Sequence, residues 1–381
     1  MFITVLGYIV ACKNSSKPEP SAQKGVPDLN TSIYSEPLNI PTVDQSRSDL
    51  EKITYIEKAG EIKDGFSGEE YNFFAQITDL SIDRKDNLYV ADSKLHRIFK
   101  FNKNGEFISS FGREGQGPGE FTGRLRMSVG DDNKIIITDI EGSKISIYSA
   151  RGEFIRQFFL PGFTNDEALA NSQGDIFLLS EGGFYVIDRK SSSLKHKNSF
   201  LGLNYHLNFS PIQPTSKLIF RMSKNLSFMS IHKLISDDDH LYVVFNNSQI
   251  VVHLDQQNKI LYQFRIDHQR FVGDFKNRLL EAKKNGKWIN CFGSVFIDNN
   301  NHICLCYYNN SLGLPEIYRY QYDGRFIDTI RTKNLKIKSN KIIRACDSQG
   351  NFYGIEKEAS QISIYRINRN LKAINLEQVD F

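Results

Sequence analysis

The sequence predicts an all-β fold built from four-stranded antiparallel units repeated around a ring, and two observations lead there. The first is the stretch from Ile77 to Phe121, which holds four short apolar runs: Leu80–Ile82, Leu88–Ala91, Ile98–Phe101 and Phe107–Phe111. Turn formers separate them, including Asp-Asn at 86–87 and Asn-Gly at 104–105. Runs this short, rich in β-branched and aromatic residues and bounded by such turns, read as strands rather than helices. The second observation is that the pattern recurs. A lone four-stranded meander leaves two edges and two faces uncovered, so it needs copies of itself to pack against.

Taken in order, Leu50–Ile62 alternates apolar and polar residues and reads as one strand with no partner nearby in sequence. Gly65–Gln76 is an acidic and aromatic loop, and the first full unit follows it. The second unit spans Leu125–Phe159 and the third Ala168–Phe200, with Asn171–Asp175 as its first turn. The fourth runs from Met229 to Ile266, the fifth from Ser294 to Ile330, and the last from Ile342 to Leu371 with no evident fourth strand. The residues that open each second strand, Asn87, Lys134, Asp175, His240, His302 and Asn351, are 47, 41, 65, 62 and 49 positions apart. Three intervals fit a blade period of about 40–50 residues. The two long ones carry insertions, a Pro-containing connection at Tyr205–Leu226 and a helix-forming stretch at Phe271–Trp288. Five complete units, one short of a strand and one orphan strand at the other end of the chain suggest a single solution. Leu50–Ile62 pairs with the last unit, which makes residues 48–381 a six-bladed β-propeller closed by an N-terminal strand.

The first unit resembles an NHL repeat. The residues that carry the resemblance are the Asn-Gly-Glu-Phe turn at Gly105, the Leu-Tyr-Val-Ala-Asp strand ending at Asp92, the strand from Arg97, and the linker Phe111–Phe121, FGREGQGPGEF. The family likeness implies that this linker carries the chain from the outer strand of one blade to the inner strand of the next. It also implies that Asp92 and Arg97 brace the blade. The N-terminal run Met1–Cys12 ends in Ile-Val-Ala-Cys and resembles a bacterial lipobox with Cys12 as the lipidated residue. Its apolar length is far short of the roughly 20 residues of a membrane span, so residues 1–12 read as a signal segment. Residues 13–47, rich in Ser, Pro, Asn and Lys, bury too little surface to fold alone and read as a flexible tether. The expected location is therefore the bacterial cell envelope, by a lipid anchor.

Composition narrows the function. A net charge of +4, from 48 Lys and Arg against 44 Asp and Glu, is too small and dispersed for a nucleic-acid surface. A monomer without nucleic acid is expected. Cys304 and Cys306 share a strand face without a Cys-x-x-Cys or His pattern and read, with Cys291 and Cys346, as small core residues. Gly112–Gly119 departs from a phosphate loop because Pro118 stands where that motif needs Lys. Asp237–His240 and Asp298–His302 lack calcium-loop spacing and read as turns. No catalytic residue, cofactor or metal is assigned. Loops between blades and between second and third strands emerge on one face, so His96, Arg113, Arg124 and Arg126 are the candidate ligand-binding residues, suited to an anionic ligand or acidic surface. The expected function is a non-catalytic binding scaffold for a protein or glycan partner. The alternative is a lactonase-like hydrolase or lyase with a metal in the central channel.

Overall fold

A computed structural model describes residues 53–62, 73–130, 133–159, 168–170, 174–180, 183–187, 194–198, 231–235, 240–245, 250–255, 260–266, 277–278, 292–309, 314–332, 341–356 and 361–367. Expectations for Cys12, the signal and tether segments, the Tyr205–Leu226 insertion, Asp237–Asp239 and Cys291 lie outside these residues. Of the helix-forming insertion, Asn277 and Arg278 are described, and both are helical.

The first blade consists of β2 (Ile77–Ile82), β3 (Leu88–Asp92), β4 (Arg97–Phe101) and β5 (Phe107–Phe111), and the second of β6 (Leu125–Val129), β7 (Ile135–Asp139), β8 (Lys144–Tyr148) and β9 (Phe154–Phe159). The third holds β10 (Leu169–Ala170), β11 (Ile176–Ser180), β12 (Gly183–Ile187) and β13 (Leu194–Asn198). The fourth holds β14 (Ile231–Ile235), β15 (Leu241–Phe245), β16 (Ile250–Leu254) and β17 (Ile260–Arg265). The fifth holds β18 (Phe292–Ile297), β19 (Ile303–Asn309), β20 (Leu314–Tyr320) and β21 (Phe326–Thr332), and the sixth β22 (Lys341–Cys346), β23 (Asn351–Glu356) and β24 (Gln361–Ile367). Each is an antiparallel meander in chain order. The first strand of every blade lies beside the first strand of the next, and β22 lies beside β2, so the six sheets close into a ring.

The fourth strand of the sixth blade is β1 (Ile53–Ile62), antiparallel to β24 with Glu57 opposite Arg366 and Ile62 opposite Ile362. Its first half does something the alternation of Leu50–Ile62 does not announce. Ile53–Ile56 pair in parallel with Thr329–Thr332 of β21, which joins the fifth and sixth blades into one eight-stranded sheet.

Sandwiching between neighbours explains the strand sequences. A sheet covered on both faces needs apolar residues on both, and all five residues of β3 are buried. At the rim this demand ends, and Phe154, Ile155 and Phe159 of β9 are exposed. Apolar clusters fill the seams between blades. Tyr89, Ala91 and Ile98 of the first blade pack on Leu125, Met127 and Ile137 of the second. Ile62, Tyr353, Ile355 and Ile362 of the sixth pack on Leu80, Leu88 and Val90 of the first.

Inner strands have one unpaired edge facing the ring axis, and buried backbone groups need partners. Side chains from the preceding blade supply them: Asp79 accepts from the Met127 amide at 2.9 Å, and the Ser128 and Ser294 hydroxyls donate to the carbonyls of Ala168 and Ile343. In the fifth blade, buried Arg319 donates to Asp298 and to both oxygens of Asp328, and Thr54 of β1 donates to Asp328 as well. Burial opposes the guanidinium charge, and the hydrogen bonds that Arg319 donates to Asp328, with that carboxylate's charge, outweigh it, so the pKa of Arg319 is raised.

The turns between third and fourth strands locate the blades against one another. Gly105, Gly152 and Gly324 all have φ between 80° and 89°, a region that favours glycine. A methyl group on Gly152 would lie 2.6 Å from Phe111 of the first blade's outer strand, and one on Gly324 would lie 2.6 Å from Phe264 of the fourth blade's outer strand. A methyl group on Gly105 would lie 3.6 Å from Ile62 of β1, so β1 occupies for the sixth blade the place an outer strand occupies elsewhere. Gly324→Ala is expected to lower the stability by about 1–3 kcal/mol through strain and overpacking, and Gly105→Ala by less, because its neighbour is farther away. Denaturant midpoints check the order, and equal losses would contradict this packing.

Candidate functional site

In the first two blades, one face of the ring is organised by an aspartate at the end of the second strand. In the first blade, the buried carboxylate of Asp92 accepts from four backbone amides, those of Ala75, Gln76, Lys94 and Leu95. In the second, Asp139 accepts from the Thr122 amide and hydroxyl and from the Gly142 amide. Each aspartate therefore ties the segment entering its blade to the loop between second and third strands. Backbone bonds repeat the tie, from Ser93 N to Gln76 O and from Ile140 N to Arg124 O. Opposite each aspartate stands a basic residue, Arg97 or Lys144. Arg97 donates to Ser110 of the outer strand, and buried Lys144 lies 3.7 Å from Asp139. Asp92 and Arg97 thus brace the first blade.

The linker from Gly112 to Gly119 is built against this frame. Gly112, at φ 90°, leaves no room for a side chain between the Phe121 ring and the His96 carbonyl. Phe121 itself is fully buried. Lys144 donates to the Gly115 carbonyl, and Tyr148 to that of Gly119. Glu120 accepts from the Gly117 amide and from Arg113, and these two bonds hold its carboxyl below the usual range. The linker is thus fixed by its own residues and by the second blade.

The four candidates read from the sequence separate within this geometry. Arg113 is 76% exposed and paired with Glu120 at 2.7 Å. His96, whose carbonyl lies beside Gly112, has φ 53°, a half-buried ring and a buried Nδ1 with no hydrogen-bond partner among the described residues. Arg124 is exposed, and its amide donates to Glu141. Arg126 does not belong to the rim. It sits on the inner strand β6, with Nη1 4.0 Å from Oδ1 of Asp79 across the seam to the first blade.

Asp79 is the centre of a group that sequence reasoning missed. Its Oδ2 accepts from Met127 N, and its Oδ1 accepts from Nη1 of Arg344 of the sixth blade at 3.1 Å. One carboxylate thus joins three consecutive blades at the ring's inner wall and holds two guanidinium groups beside it. Register carried a partial signal. Asp79, Arg126, His232 and Ser294 pair with Ala91, Thr138, Val244 and Cys306, the equivalent fourth position of their second strands. Arg344 had no such signal, because it falls where the pairing slips between Ile343 and Ala345.

The first turns of the first, fifth and sixth blades lie on the opposite face and are closed units. Asp83 accepts from the amides of Lys85 and Asn87, the Asn87 side chain and the Tyr89 hydroxyl, and Asp347 repeats this set with Gln349, Asn351 and Tyr353. Asp298 accepts from Asn300, His302 and Arg319, so its carboxylate is spent inside the fold. Among the described residues no group of three or more His, Cys, Asp or Glu is placed to hold a metal. Cys304 and Cys306 are buried free thiols, pushed up in pKa by that burial, and the Cys346 thiol is pushed up to about 12.

A family model described as 6-bladed beta-propeller matches residues 69–352. The chain belongs to that family. The propeller is also 33% identical over 100 residues to peptidyl-glycine alpha-amidating monooxygenase B of Xenopus laevis, a match covering 24% of this chain and 11% of that protein. It is 28% identical over 133 residues to the protein brain tumor of Drosophila melanogaster, covering 34% of this chain and 12% of that one. The propeller therefore spans about a ninth of the length of these curated relatives. Among solved structures it is similar to virginiamycin B lyase from Staphylococcus aureus, at 10% identity and a TM-score of 0.48, over 77% of this chain and 95% of that one.

Proposed function

We propose that this propeller is a non-catalytic binding module of the NHL-repeat type. It is held at the bacterial cell envelope by a lipid on Cys12 and recognises an acidic protein or glycan surface through the loops of one face. The observation that supports this reading most is the bracing of that face. Asp92 and Asp139 tie linkers and loops into a fixed frame, so the exposed Arg113 and Arg124 are carried on ordered backbone. Preorganised groups lose less entropy on association than mobile ones. Arginine suits carboxylate and sulfate recognition because its planar fork offers paired donors. The pairing of exposed Arg113 with half-buried Glu120 does not oppose this. A surface ion pair is worth about 0–1 kcal/mol and exchanges readily for an incoming anion. For the anchor, support comes from the Ile-Val-Ala-Cys run and the polar segment after it.

The double substitution Arg113→Glu with Arg124→Glu is expected to lower the salt concentration at which the protein leaves a heparin column. Elution unchanged from the parent would overturn the assignment of the face. For the anchor, Cys12→Ser is expected to move the protein from the membrane pellet to the soluble fraction of cells that process lipoproteins. Continued sedimentation with the membranes would overturn it.

A further inference from the structure

The Asp79 group is chemically distinct from the rim, and it carries an inference that does not depend on the partner proposed above. Two guanidinium groups, of Arg126 and Arg344, reach the same oxygen of one carboxylate. At the inner wall between the sixth, first and second blades, one carboxylate thus stands beside two guanidinium groups. The three side chains share the work unequally. Asp79 is 4% exposed and committed at both oxygens, and Arg344 is 13% exposed and hydrogen-bonded to it at 3.1 Å. Arg126 is 30% exposed, and its 4.0 Å separation from Asp79 is too long for a hydrogen bond. Among the described residues its guanidinium donates to no acceptor. Ser128 and Ser294, at other positions of the inner strands, do not resemble it, since they spend their hydroxyls on backbone carbonyls of the next blade.

A guanidinium held in place by a neighbouring charge, partly shielded from water and with unused paired donors, is the arrangement that takes an oxyanion bidentately. A low-dielectric wall strengthens the attraction over that at an open surface. We infer that the inner wall at Asp79, Arg126 and Arg344 is a binding site for a small oxyanion, a carboxylate or a phosphate. Arg126 supplies the direct contact, beside the hydrogen-bonded pair of Asp79 and Arg344. The competing carboxylate of Asp79 makes this affinity moderate and dependent on ionic strength.

Titration calorimetry on the full chain at low salt tests this with inorganic phosphate and with succinate as separate probes, which distinguishes a tetrahedral from a planar oxyanion. At least one is expected to bind saturably and to raise the thermal midpoint. Arg126→Gln is expected to weaken that binding tenfold or more. Asp79→Asn, which removes the competing charge, is expected to tighten it several-fold, a gain that a purely structural role for Asp79 would not produce. Arg151→Gln, the same charge change at an exposed turn, serves as the control and is expected to leave binding as it was. If Arg126→Gln does not fold, Arg126→Lys keeps the charge, loses the fork, and is expected to weaken binding at least threefold. Absence of saturable binding of both probes would overturn the inference. So would binding that Arg126 substitution leaves intact, or that Arg151→Gln weakens equally. Because the probes are free ions, these results are independent of the heparin experiment on the rim.

Discussion

Strand β1 is paired with β21 from Ile53 to Ile56 and with β24 from Ile56 to Ile62, and the ring depends on that double pairing. Without it the sixth blade would present an open edge at β24, and the seam against the first blade would lose Ile62. An unpaired edge is a template for association with other chains, and closure is the means by which propellers avoid it. The parallel half does a separate job. Ile56 sits in a cluster with Phe296, Ile317 and Ile330 of the fifth blade and Ile343, Phe352 and Tyr365 of the sixth. Thr54 adds a hydrogen bond to buried Asp328, which Arg319 already clamps. A buried ion pair contributes little net stability by itself but is costly to break, so it works mainly as a positional lock. Here the lock fixes where the strap meets the fifth blade.

A second set of interactions holds the blades in order. The inner strands present a free edge to the axis, and a side chain from the preceding blade covers it in the described seams between the first and second, second and third, and fifth and sixth blades. On the face of the first turns, Asn299 donates to Ser348 O, and Ser348 in turn donates to Asp86 of the first blade. These bonds cross from the fifth blade to the sixth and on to the first, where β1 also closes the sheet. Polar groups in a propeller core thus have a structural reason to exist, and most are consumed by it. Arg126 stands out against that background rather than by its charge alone.

Much of the architecture was legible because local chemistry demands it. Asn-Gly at 104–105, Arg-Gly at 151–152 and Asp-Gly at 323–324 mark positive-φ turns, and all three glycines adopt them. The same holds at the first turns, where Asp86, Asn133, Gly174, Asn301 and Gly350 share one position and one backbone sign. The orphan strand could be assigned because a sixth blade lacking a strand needed one. Its second pairing could not, since a parallel partner about 270 residues away leaves no period or turn in the sequence. The site was less legible still. Arg113 and Arg126 look alike along the chain, but Glu120 lies within reach of one through a turn of the linker, whereas the other points at Asp79 of the preceding blade. Arg344 entered only through a bulge. Sequence periodicity reports how blades bury their faces, and the residues left over for binding carry no period of their own.

The central claim is that an N-terminal strand completes the sixth blade, and a cross-link tests it directly. Glu57 and Arg366 face each other across the β1–β24 pair. The double substitution Glu57→Cys with Arg366→Cys is expected to form an intramolecular disulfide in the folded protein on mild oxidation, seen as faster migration on a non-reducing gel, and to raise the thermal midpoint by stapling the ring. A folded protein whose two introduced thiols remain reduced, or link only between molecules, would contradict it.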